Sequence, residues 1–134
     1  MTTKFDWKKV GEFWLEEAEE ALEVADNLYE KGHYSCSLFF GHLAIEKYLK
    51  SLYVMVKNEQ APLIHHLERL ADAVNVAMSP EQRESLIRIS TFNIEARYPD
   101  LKRSFRSKCT PEFTREEMTK IKEIAKWLKS IQKS

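Results

Sequence analysis

An all-α fold is what this sequence predicts, and three observations carry that expectation. Apolar residues recur at spacings of three and four through most of the chain, the stripe of an amphipathic helix. Residues that start and stop helices stand at the ends of those stripes. Only 3 Gly and 4 Pro occur in 134 residues, too few for the turns that an all-β sandwich or barrel needs about every 8–12 positions. The length suits one core, so residues 1–134 are expected to form a single helical domain. The full expectation is a five-helix up-and-down bundle whose two N-terminal helices are long and antiparallel.

The first helix is expected from about Asp6, a suitable N-cap, to Lys31. Its stripe runs through Trp7, Val10, Trp14, Ala18, Ala21, Ala25 and Leu28, and Gly32 can take the left-handed cap. The second, about His33 to Lys57, is apolar on nearly every side through CSLFFGHLAI and should be the central, most buried element. Gly41 inside it costs about 1 kcal/mol relative to Ala and is expected to mark close approach of another backbone. After the loop 58–62, Leu63, Leu67, Leu70, Val74 and Ala77 mark a third helix, with His65-His66 at its start. Ser79-Pro80-Glu81-Gln82 reads as a capping box with proline at the first helical position, opening a fourth helix that continues toward Tyr98-Pro99. Thr114-Arg115-Glu116-Glu117 repeats that logic before Met118, Ile121, Ala125, Leu128 and Ile131, the fifth.

Twenty-one basic residues cancel twenty-one acidic ones, so bulk charge points to no nucleic-acid binder, and no DNA partner is expected. The neutrality hides a dipole. Between Glu12 and Glu30 stand eight acidic and no basic residues, whereas Arg97 to Lys133 holds eleven basic against five acidic. The stretch 98–113, longer than the roughly 2–8 residues usual between bundle helices, reads as a basic loop carrying Lys102, Arg103, Arg106 and Lys108. It is either a phosphate or docking surface or an ordinary solvated loop. Cys36 and Cys109 have no neighbouring cysteine, so free thiols in a reducing cytoplasm are expected rather than a disulfide or zinc site. The N-terminus lacks an apolar signal core. The apolar stretch 34–56 carries Glu46, Lys47 and Lys50 near its middle, which disfavours a bilayer span.

Those three charges are also the first candidate site. His42, Glu46 and Lys50 share one helix face, and burying them without partners is costly. They either line a cleft or interface, or snorkel from a mostly buried helix. Adjacent His65 and His66 diverge by about 100° on a helix, and no H-E-x-x-H set exists, so no metal is expected. His65 could instead orient a carboxylate or meet an anion, or lie on the surface. Arg97-Tyr98-Pro99-Asp100 sets an arginine at a bend where its planar fork can engage a carboxylate, such as Glu46 or Glu95, or a phosphate. No P-loop, G-x-G-x-x-G or G-x-S-x-G is present, so no cofactor is expected and anion binding must use side chains.

The run Ala44-Ile45-Glu46-Lys47-Tyr48-Leu49-Lys50, then His65-x-Leu67 with Leu70, then Glu95-Ala96-Arg97-Tyr98-Pro99-Asp100, resembles the HEPN (higher eukaryotes and prokaryotes nucleotide-binding) domain. The resemblance spans nearly the whole chain. It implies a small helical bundle, a homodimer, and in prokaryotes a frequent pairing with a minimal nucleotidyltransferase in toxin–antitoxin systems. The candidate nucleotide- or partner-binding residues are Glu46, Lys47, Lys50, His65, Glu95, Arg97, Tyr98 and Asp100. Some family members are metal-independent ribonucleases using an R-x4–6-H motif across the dimer. Here all four histidines precede the first arginine, Arg69, so that motif is missing. RNA cleavage without metal needs a group exchanging protons near neutral pH and a cation for the developing charge. The expected function is therefore a nucleotide-binding or interaction module, with ribonuclease activity on RNA as the alternative.

Overall fold

The computed structural model describes residues 6–95 and 98–133, and among them the regular structure is entirely helical. Six helices follow one another: α1 (Trp7–Glu30), α2 (Tyr34–Lys57), α3 (Leu67–Ala73), α4 (Pro80–Glu95), α5 (Pro99–Lys108) and α6 (Pro111–Lys133).

The hairpin of α1 and α2 follows from its caps. Asp6 accepts a hydrogen bond from the Lys9 amide at 3.3 Å. Gly32 (φ 83°) makes the reversal, and Asn58 (φ 54°) ends α2 in the left-handed conformation. The two helices are fastened near both ends by buried serines. Ser37 Oγ donates to the Ala25 carbonyl at 2.7 Å and Ser51 Oγ to the Gly11 carbonyl at 2.6 Å. Ala18, Ala21 and Ala25 keep the seam thin. As position rises along α2 its partner falls along α1, so α1 folds back along α2.

α2 touches every other helix, and Leu38, Ile45, Tyr48, Leu49 and Leu52 are its share of a core completed by Leu67 and Leu70, Leu86, Ile89 and Phe92, Phe105, and Ile121 and Leu128. Its central place follows from its lack of a polar face. A Cβ on Gly41 would stand 2.6 Å from Ile121 Cδ1. The close approach is thus made by a side chain of α6, not by a backbone as the sequence suggested.

Three further expectations are corrected. Residues 98–113 are not a loop: Pro99 follows the Tyr98 N-cap, and α5 runs to Lys108 with Phe105 buried against Phe92 at 5.5 Å. Proline disfavours helix in the residue before it but suits the first turn of the next helix, and a ten-residue helix resting on one aromatic leaves little apolar stripe to read. The count is therefore six rather than five among the described residues. The start of α6 is Thr110-Pro111, where Thr110 Oγ1 accepts from the Phe113 amide at 3.1 Å, while Thr114 is buried inside the helix. The segment before α3 stays extended as far as His66. By contrast the Ser79 box forms in full: the Gln82 amide donates to Ser79 Oγ at 3.1 Å and the Ser79 amide to Gln82 Oε1 at 2.9 Å.

Candidate functional site

Glu46 sits on the core-facing helix and is only 6% exposed. A carboxylate so placed needs partners. One helical turn on, Lys50 Nζ lies 3.1 Å from Oε2. From the extended segment before α3, His65 Nδ1 lies 3.2 Å from Oε1. His42, fully buried one turn earlier, places Nε2 at 3.9 Å from Oε1. Burial pushes the Glu46 carboxyl up, but the Lys50 charge, the His65 hydrogen bond and His42 together outweigh it and hold the group below its ordinary 4.5. Glu46 is thus a carboxylate, an acceptor only, and His65 donates to it through Nδ1–H. This leaves Nε2 as the unpartnered ring nitrogen of a half-exposed side chain among the described residues.

His65 is brought there by a bond the sequence did not advertise. Ser90 Oγ, on α4, accepts from the Leu67 amide at 2.9 Å, capping α3, and donates to the Leu86 carbonyl at 2.8 Å. α3 and the histidines before it are thereby pinned to α4. On that side opens a cavity of about 440 Å³ lined by Leu63, Ile64, His65, His66, Arg69, Asn93, Ile94 and Tyr98.

Of the residues singled out from sequence, Glu46, Lys50 and His65 converge, and Tyr98 stands on the same cavity as His65. Lys47 does not join them: it turns to α1, with Nζ 3.8 Å from Glu17 Oε1, as expected of a neighbour about 100° around the helix. Burial, with the charge of half-buried Glu95 at the end of α4 adding to it, raises the Cys109 thiol to about 11. Asp100 falls in the first turn of α5. Arg97 lies outside the described residues. Lys102, Arg103, Arg106 and Lys108 are exposed on a helix, with Lys108 Nζ 5.3 Å from the Phe113 ring centroid and Arg106 beside the start of α2 in a second cavity. In the row of His42, Glu46 and Lys50, Glu46 is buried behind His65, and Lys50 Nζ lies 5.1 Å from the Trp14 ring centroid. Sequence reasoning missed Trp14, Arg69 and Asn93 as parts of this region, because each reads as one more stripe or surface residue. No group of three or more His, Cys, Asp or Glu suited to a metal occurs among the described residues. Both cysteines are free, Cys36 exposed and Cys109 buried. No helix of the described residues is long and apolar enough to cross a membrane.

Fold and site define an all-helical bundle with a carboxylate–imidazole–ammonium cluster beside an open cavity. The family model of the HEPN domain matches residues 11–132, and the chain belongs to the HEPN family. It is similar in fold to the crystal structure of TT1696 from Thermus thermophilus, with a TM-score of 0.77 and 21% identity over 90% of this chain and 96% of that one. Among curated proteins nothing matches.

Proposed function

We propose that this HEPN-family protein is a nucleotide-binding or interaction module of the prokaryotic cytoplasm, acting as a homodimer with a minimal nucleotidyltransferase in a toxin–antitoxin-type pair. The observation that carries the binding part is the Glu46-held His65 on the wall of a cavity shared with His66 and Arg69. An imidazole fixed at one nitrogen presents the other in one direction, and Arg69 supplies a guanidinium with no carboxylate partner among the described residues. Exposed Leu63, Ile94, Tyr98 and Leu101 support an apolar contact surface for a second copy or a partner. Calorimetric titration with AMP and GMP tests the reading. Binding to the wild type and its loss in His65→Ala, with the helical circular dichroism spectrum retained, is expected; no binding of either nucleotide overturns the nucleotide-binding part of the reading and leaves the interaction module. A monomeric mass by light scattering at micromolar concentration overturns the dimer.

The ribonuclease reading is kept by one observation. The Glu46–His65 pair leaves Nε2 available for proton exchange, the role of the histidine missing from the R-x4–6-H motif. RNA degraded by purified protein in EDTA, with the activity abolished in His65→Ala, would put this reading first.

A further inference from the structure

The cavity of about 440 Å³ beside α3 gathers basic side chains with no acid among them. His65, His66 and Arg69 line it, and among the described residues no Asp or Glu does. The carboxylates stand behind the imidazoles instead: His65 Nδ1 lies 3.2 Å from Glu46 Oε1 and His66 Nδ1 3.8 Å from Glu68 Oε1. The two nitrogens of an imidazole point in different directions, so a ring whose Nδ1 faces its carboxylate turns Nε2 elsewhere. Both rings are about half exposed, 51% and 52%, so a ligand can reach them. Arg69 is half-buried, and its guanidinium has neither a hydrogen bond nor an ion pair among the described residues. Asn93 on the same wall takes no part, because its unpaired Oδ1 is closed off from solvent. Leu63, Ile94 and Tyr98 supply an apolar side, and the volume suits a small molecule held by apolar walls and a few polar groups.

We propose that the nucleotide is anchored in this cavity by its phosphate, and that the site takes a phosphate monoester in preference to a diester. The inference rests on the nucleotide-binding reading above and deepens it. A monoester carries about −1.5 to −2 charges near neutrality and three free acceptor oxygens. A diester carries one charge and two free oxygens. The planar fork of Arg69 can take two oxygens side by side, and the imidazoles beside it can donate to the third. An imidazole that carries both protons donates from each nitrogen. One that stands between its own carboxylate and an arriving phosphate has its charge balanced on both sides. Esterifying the third oxygen removes both an acceptor and most of a charge from this arrangement.

The test takes the tighter binder of AMP and GMP and compares it, by calorimetry on the whole chain, with its nucleoside and with its 5′-methyl phosphate diester. The monophosphate should bind at least about tenfold tighter than either, because hydrogen bonds between charged groups are the strong ones and a site built for them rejects analogues lacking them. Arg69→Gln should close most of the gap between monophosphate and nucleoside. Its helical spectrum and melting should stay those of the wild type, since the guanidinium it replaces fastens nothing. A nucleoside that binds as tightly as the monophosphate overturns the phosphate anchor and leaves the nucleotide reading standing. A diester that binds as tightly overturns the choice of monoester, and a gap unchanged in Arg69→Gln overturns the place given to this wall. If neither AMP nor GMP binds, the nucleotide-binding reading fails and this inference with it.

Discussion

Glu46 and Glu117 are the two buried carboxylates among the described residues, 6% and 3% exposed, and the fold treats them differently. Glu117, on α6, is met by Arg88 Nε of α4 at 2.5 Å and by Lys120 Nζ, three residues on in its own helix, at 3.5 Å. Both partners are cations that keep their charge near neutrality. Glu46 has the Lys50 ammonium and a half-exposed imidazole that faces a cavity. One carboxylate therefore closes a contact between two helices, and the other fixes a group that can act on something outside the chain. Burial alone does not separate a structural ion pair from a site. What separates them is whether a partner of the carboxylate retains an unpaired polar atom at an opening.

The largest expected effect tests the structural half of that contrast. Arg88→Met removes the interhelix partner and leaves Glu117 buried with Lys120 alone, which should cost on the order of 3 kcal/mol in urea unfolding. Lys50→Met should cost somewhat less, about 2 kcal/mol, because His65 still bonds Glu46. Were Lys50→Met the more damaging of the two, the cluster at Glu46 would be the stronger fastening and the contrast would be reversed.

The next effect is in pH. The folded-state pKa of Glu46 is depressed, so its contribution to stability is fully present above its ordinary 4.5 and is lost as pH falls through the lower folded value. Unfolding free energy measured between pH 6 and acid should fall below about pH 4.5 more steeply in the wild type than in Glu46→Gln. Identical acid limbs would show that the Lys50 and His65 contacts do not favour the charged form.

The helices that carry the contrast were legible to different degrees. α1, α2 and α4 could be read with their caps because each joins a strong stripe or apolar run to a local signal: Asp6 and Gly32, His33 to Asn58, and the Ser79–Gln82 box. α5 was not legible, since a short helix with one buried aromatic has no stripe and its proline reads equally as a stop or a start. At the site, Glu46 and Lys50 could be paired from an i, i+4 spacing alone. That His65 closes on Glu46 depends on Ser90, which holds α3 against α4 from 23 positions away in sequence, and no local pattern encodes such a distance. Asn93 was silent for the opposite reason: a buried amide with an unpartnered atom looks in sequence like any helical asparagine.

His65→Ala should separate binding from folding. Its side chain is 51% exposed, so stability should change by less than about 1 kcal/mol, while binding of AMP or GMP should be lost. A loss of stability comparable to that of Arg88→Met would mean that His65, like Arg88, is a fastening and not a binding group.

The smallest effect on stability is expected on α5, where Arg103→Glu with Arg106→Glu reverses two exposed charges. The acidic face of α1 is not neutralised by this helix: Glu17, Glu19 and Asp26 pair with Lys47, Lys129 and Lys122, which belong to α2 and α6. Among the described residues no ion pair joins α5 to α1, and α5 meets the core through Phe105. Reversal should therefore shift stability by only about 0.5 kcal/mol. If the face meets an external polyanion, binding of a short single-stranded RNA should weaken and its dependence on salt should flatten, by roughly 0.7 in the logarithmic slope for each phosphate that the variant no longer neutralises. If instead the face packs against the acidic helix of a second copy, the same variant should lower the dimer mass seen by light scattering and leave RNA binding unchanged. The two outcomes differ in observable, because a charge facing solvent affects only what arrives from outside, whereas a charge facing another protomer affects the assembly itself.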